Sequence, residues 1–186
     1  MEKSIYQIIS LSEFAALTGI LAVAITSRNL FLAVIGFFLI LKQLPEKLLK
    51  SNIKGTLSKR PDNAKNCNMI NKGGESKTPG FPSGHSTIAS FLFFVILLEF
   101  VRVKKIYKVN LYELLLLGLV LLLAVPYSRV KLGCHTTEQV LGGVVLGFIV
   151  FLIFVLFEKH VLLKNKRYVK DKLRVYDYFV DGFRNK

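Results

Sequence analysis

Five long apolar stretches dominate this chain, and they leave few folds open to it. A helix needs about 20 mainly apolar residues to cross the hydrocarbon layer of a bilayer. Ile5 to Ile25 forms the first stretch, interrupted by Glu13, and Leu30 to Leu44 forms the second, ended by Pro45. The third runs from near Pro82 to Val101, and the fourth from Leu111 to Tyr127 with Glu113 near its start. Val140 to Phe157, the fifth, carries no charge at all. Lipid offers no partner for unpaired backbone groups, so such stretches become helices. The strict alternation of a membrane barrel is absent. The expectation is therefore all-α, an integral membrane bundle of about five transmembrane helices with its active site at one membrane face.

Charge narrows the partners. Hydrophobic residues make up 52% of the chain, yet its formal net charge is +14. The cations lie between apolar runs instead of along one exposed face, which favours membrane head groups and phosphate as partners and argues against nucleic acid. Cys67 and Cys134 form no Cys-x-x-Cys pair, so neither a zinc site nor a disulfide framework is indicated. Two unpaired thiols are expected; a Cys67–Cys134 bridge is the alternative if both face an oxidising compartment. The opening Met-Glu-Lys-Ser carries an acid where a secretory signal is basic, and the first span is read as retained.

The spans organise the rest. Residues 1–160 read as one transmembrane domain and residues 161–186 as a basic amphipathic tail suited to an anionic leaflet, with a plain solvated tail as the alternative. From about Lys47 to Phe81 the chain is polar, basic and rich in Asn, Gly and Pro, as expected of a loop. Five crossings place the loops after spans two and four on one face. The other face carries Arg28, the cluster Arg102, Lys104, Lys105 and Lys108, and the tail. Positive-inside reasoning then puts the tail in the cytosol and the shared loops outside it. Glu13 and Glu113, ionisable groups within spans, are expected to turn inward and help pack helices. His160 reads as interfacial.

Three short segments on the shared face hold the residue types that bind and split a phosphate ester. In the first, Lys54 and Arg60-Pro61 bring an ammonium and a guanidinium, the latter able to grip phosphoryl oxygens through parallel hydrogen bonds. The second, Gly80-Phe81-Pro82-Ser83-Gly84-His85-Ser86, turns into a helix N-terminus, where free N–H groups and the dipole favour an anion. There Ser83 can add a donor and His85 can give a proton to a leaving group. The third runs from Ser128-Arg129 to His135-Thr136-Thr137-Glu138-Gln139. Either Gln139 or Glu138 could accept the His135 Nδ1 proton and leave Nε2 free to attack phosphorus.

In these segments the chain resembles the type 2 phosphatidic acid phosphatase superfamily, which also includes vanadium-dependent haloperoxidases and acid phosphatases. That signature is Lys, six residues, Arg-Pro; Pro-Ser-Gly-His; and Ser-Arg, five residues, His, three residues, Asp. The resemblance covers Lys54 to Gln139. It implies His135 as nucleophile through a phosphohistidine, His85 as general acid, and Arg60, Ser83, Gly84 and Arg129 as a phosphate cradle that needs no metal or other cofactor. Two departures stand out: five residues separate Lys54 from Arg60, and Gln139 replaces the Asp. His135-Thr136 followed by Gln139-Val140 is similar to the dolichyl diphosphatase branch, which implies a phosphorylated lipid, polyisoprenyl diphosphate or phosphatidate-like, and a luminal site in the endoplasmic reticulum. A vanadate-dependent haloperoxidase and a phospholipid-binding or scaffold protein without turnover are the alternatives.

Overall fold

The computed structural model describes residue 15 and residues 17–62, 64, 78–107 and 112–184. Glu13, Cys67 and Lys108 fall outside them, as do the start of the first expected span and the middle of the long loop. Among the described residues the fold is all-helical. In chain order the helices are α1 (Leu17–Thr26), α2 (Leu30–Leu41), α3 (Gln43–Asn52), α4 (Gly84–Tyr107), α5 (Tyr112–Lys131), α6 (Thr137–His160) and α7 (Lys166–Arg184), with a 3-10 turn at Leu162–Lys164. Two of these, Gly84–Tyr107 and the stretch Thr137–Lys164, are long and apolar enough to cross a membrane. At 1.5 Å per residue each 24-residue helix measures about 36 Å.

Small residues set the central contact. Gly143 and Gly147, one turn apart on α6, face the start of α4. A Cβ on Gly143 would lie 2.4 Å from the Ser83 carbonyl oxygen, and one on Gly147 would lie 2.3 Å from that of Thr87. The missing side chains let the two backbones meet, as small residues one turn apart do between membrane helices. Ser90 adds a hydrogen bond from its hydroxyl to the Val144 carbonyl at 2.8 Å. Two turns further along α6, aromatic rings take over: Phe154 meets Phe38 and Phe91 edge-on, with centroids 5.3 and 6.0 Å apart. Between apolar helices such rings hold the bundle through close van der Waals packing. On the outer side of α6, Leu141, Val145, Ile149, Leu152, Ile153 and Leu156 are exposed.

One proline acts differently from expectation. Pro45 does not close the second apolar stretch; it lies in the first turn of α3, where its missing N–H costs nothing. The helical path breaks earlier, at Lys42, because Pro45 cannot donate to the Leu41 carbonyl. The stretch from Lys47 to Asn52, read as loop, is the rest of α3, with Glu46 in its first turn and Lys50 in its last to complement the dipole. Pro126 sits inside α5, which continues to Lys131.

The tail forms a helix, and its apolar side is spent on the bundle. Tyr168 joins the core of α2, α4 and α6, while Tyr176 and Val180 pack on Phe100 and Val103. Asp171 accepts the Leu30 N–H at 2.7 Å, satisfying the otherwise unpaired start of α2. Beneath α7 lies a buried ionic network. Arg102 bonds Glu99 at 2.6 Å and Glu158 at 2.7 Å. Lys172 bonds Glu99 at 3.0 Å and also Glu158, and the Tyr168 hydroxyl donates to Glu158 at 2.9 Å. Two carboxylates thus face two cations. Glu113, expected to turn inward, is instead exposed in the first turn of α5, where a carboxylate meets the positive end of the dipole.

Candidate active site

His135 stands in the short turn between α5 and α6, and local chemistry fixes that turn. Gly133 takes φ 68°, a left-handed conformation that side chains resist. The N–H groups of Cys134 and His135 both donate to the Arg129 carbonyl, at 3.0 and 3.3 Å. Thr136 then caps α6: its hydroxyl accepts the Gln139 N–H at 3.4 Å, while Gln139 Oε1 accepts the Thr136 N–H at 3.3 Å. This reciprocal capping box places Gln139 directly beside the imidazole.

Hydrogen-bond arithmetic then assigns the imidazole tautomer. The Gln139 amide nitrogen donates to the carbonyls of Leu57 at 3.0 Å and Lys59 at 2.8 Å. Only its NH₂ can face two carbonyls, so Oε1 is the atom turned to His135 Nδ1, 3.1 Å away. Nδ1 therefore carries the proton and donates. On the other side of the ring, Arg60 Nη1 lies 3.2 Å from Nε2. A guanidinium has only donors, so Nε2 presents its lone pair. Of the two candidates for the orienting role, Gln139 occupies it. Glu138 is exposed.

Arg60 is itself well held. Its Nε donates to the Thr78 carbonyl at 2.8 Å, its Nη2 to the Thr78 hydroxyl at 3.2 Å and its Nη1 to the Cys134 carbonyl at 2.7 Å. Burial lowers its pKa, and it stays cationic. Cys134 is disulfide-bonded. The unpaired thiols expected from the sequence are thus replaced by a bridge; Cys67, the one other cysteine, lies outside the described residues. Through Arg60 and Cys134 the first and third segments meet.

The second segment joins them at the start of α4. Ser83 N–H donates to the Gln139 carbonyl at 2.9 Å, and the Ser83 carbonyl accepts Thr87 N–H at 3.0 Å to open the helix. Ser83 is fully buried, its hydroxyl accepting from that of Ser86 at 3.1 Å. Gly80 donates to the Ser58 carbonyl at 2.8 Å, and a Cβ there would lie 2.3 Å from Gln139 Oε1. Arg129 is buried. Both Arg129 and His85 lie near enough to His135 for their charge to act on it.

Electrostatics keep His135 neutral. Burial first, and then the charges of Arg60 and Arg129, push its pKa down to about 3, against the pull of the Gln139 hydrogen bond. The lone pair is thus available across the physiological range. Lys54, by contrast, is exposed.

A different lysine comes to this corner. Lys42, at the break between α2 and α3, is buried and donates to Glu46 at 2.7 Å and to the Gly84 carbonyl at 3.2 Å. A Cβ on Gly84 would lie 2.9 Å from Glu46 Oε2. Lys42 and Glu46 were missed by the sequence reading, although their i, i+4 spacing beside Pro45 is the pattern of a helical ion pair. They anchor Gly84 to α3. Thr78, which holds Arg60, had no signal outside its fold.

Comparison with known proteins gives the family. No curated protein and no solved structure gives a significant match. The PAP2 superfamily matches residues 16–161, well over half of the chain, and membership implies phosphatase activity on phosphate esters. With the three segments converging on His135 inside that match, the chain belongs to the PAP2 superfamily.

Proposed function

We propose that this chain is an integral membrane phosphatase that removes phosphate from a lipid monoester or diphosphate, without metal, through a phosphohistidine on His135. One observation carries the reading: a neutral imidazole whose Nδ1 proton is pinned by Gln139 and whose Nε2 lone pair points at a guanidinium. That is a nucleophile waiting beside its phosphate anchor.

The reaction then runs in two balanced halves. The phosphoryl group takes the place of the Nε2 lone pair as partner of Arg60, and Arg129, the Ser83 hydroxyl and the N–H groups opening α4 take its remaining charge. Nε2 attacks phosphorus, the bond from phosphorus to the lipid oxygen breaks, and protonated His85 gives its proton to that oxygen. Neutral His85 next takes a proton from water, whose oxygen attacks phosphorus. The bond from nitrogen to phosphorus breaks, and inorganic phosphate leaves with His135 restored. Gln139 supports the transient imidazolium with its carbonyl dipole.

Several features support the membrane setting: the length of α4 and α6, and the exposed apolar row on α6. In the five-span reading, the disulfide at Cys134 favours an oxidising compartment on the side of the site. That agrees with positive-inside orientation and with a luminal or extracytoplasmic site. The His135-Thr136 and Gln139-Val140 pattern favours polyisoprenyl diphosphate as substrate. Incubation of detergent-purified protein with such a lipid should release phosphate and trap an acid-labile phosphohistidine. His135→Ala should lower release by about a thousandfold or more; unchanged turnover in that variant rejects the reading.

A further inference from the structure

The cations of the tail fall into two sets that the fold treats oppositely. Lys172 points inward and is neutralised by Glu99 and Glu158. Lys164, Lys166, Lys170 and Arg174 line an open groove of ≈ 530 Å³ between the 3-10 turn and the outer side of α7, together with Leu163 and Leu173. Among the described residues none of these four cations has an ion-pair partner. Asp177 also lines the groove and accepts from the Tyr107 hydroxyl; its negative charge remains, so four cations face one anion and the lining stays net positive.

Geometry explains why the charges converge. Lys166, Lys170 and Arg174 follow one another at i, i+4 spacing and so stack along one side of the helix. Like charges at that spacing repel, and an anion resting among them relieves the repulsion. The floor is apolar: Leu163 and Leu173 are 45% and 39% exposed. Lysine stems can lie along such a floor while their heads stay in the polar layer. The groove begins just past the end of α6, a helix about 36 Å long that starts beside His135. That length is close to a bilayer thickness, which puts the groove at the membrane surface opposite the active site.

We propose that this groove binds the phosphate headgroup of an anionic phospholipid in the leaflet opposite the active site. The four cations hold the phosphate, and Leu163 and Leu173 meet the glycerol and the upper acyl chain. A free phosphate ion leaves those leucines unused, which is why the lipid is the assigned occupant. The inference rests on the membrane setting proposed above and not on hydrolysis.

Native mass spectrometry of the full-length protein in detergent, titrated with phosphatidylglycerol or phosphatidylcholine, tests it. Phosphatidylglycerol is expected to bind more tightly than phosphatidylcholine. The combined variant Lys164→Gln, Lys166→Gln, Lys170→Gln and Arg174→Gln should weaken phosphatidylglycerol about tenfold or more. Arg129→Gln, which alters only the active site, should leave that affinity in place. Equal affinity in the combined variant overturns the proposal, as does loss of the lipid in Arg129→Gln. Full displacement by millimolar inorganic phosphate also overturns it, since the site is then one for the free ion. If the combined variant fails to fold, Lys166→Gln and Lys170→Gln singly should each weaken binding severalfold, and no change in either sinks the idea. Phosphate release from the lipid diphosphate, followed in the same samples, separates the two readings: a protein that binds lipid in the groove but hydrolyses nothing loses only the phosphatase reading.

Discussion

At the scale of the residue, Gln139 shows why an amide can stand where the superfamily signature has an acid. Its oxygen orients His135, and its nitrogen ties down the carbonyls of Leu57 and Lys59, next to Arg60. A carboxylate can serve the imidazole but must turn its second oxygen on two carbonyls. Gln139→Glu is therefore expected to cost about 2–3 kcal/mol of stability, from two lost hydrogen bonds and the buried acceptors they leave. Chemical denaturation in detergent measures it, and a variant as stable as the parent refutes the account. His135 makes a second prediction. Its folded pKa lies near 3, below its ordinary value of about 6.5, so the unfolded chain binds more protons between those values. Stability from this site is complete above about pH 6.5 and is lost as pH falls towards 3. The thermal midpoint should drop on acidification through that window, with a shallower slope in His135→Asn.

At the scale of the element, glycine spacing brings the motifs together. Gly143 and Gly147 let α6 lie against the first two turns of α4, which sets Ser83 beside Gln139. Gly147→Leu forces side-chain atoms against the Thr87 carbonyl oxygen and should destabilise by about 1–3 kcal/mol or more, with phosphate release falling alongside. Gly19→Ala in α1, where nothing lies within 4 Å of the added Cβ, should be neutral or slightly stabilising. Equal effects of the two in thermal unfolding exclude close approach as the cause. The helices themselves were legible as apolar runs, but their ends were not. Pro45 reads as a stop because proline breaks helices, yet the chain places it in a first turn, where the rule does not apply.

At the scale of the whole molecule, α7 is tied to the bundle through charge as well as through apolar packing. The network of Glu99, Arg102, Glu158 and Lys172 balances two against two, so removing one member strands a buried charge. Lys172→Met should cost about 3–5 kcal/mol. Adding Glu99→Gln restores neutrality and should recover part of that loss; strictly additive losses in a double-mutant cycle argue against a coupled network. None of these partners was paired in the sequence reading. Glu99 and Arg102, three residues apart on α4, were open to a spacing rule; Glu158 and Lys172 lie on different helices, and spacing rules speak only within one.

By itself the sequence determined the all-helical class and the family, because these are written in local runs and short spacings. Only the tertiary structure decided that Gln139 and not Glu138 orients His135, that Lys42 and not Lys54 packs against Gly84, and that the apolar side of α7 is spent on the bundle. The physical reason is range. The acceptors that fix the Gln139 amide lie 80 and 82 residues away in the chain, and a hydrogen-bonding partner at that separation exists only once the helices have packed.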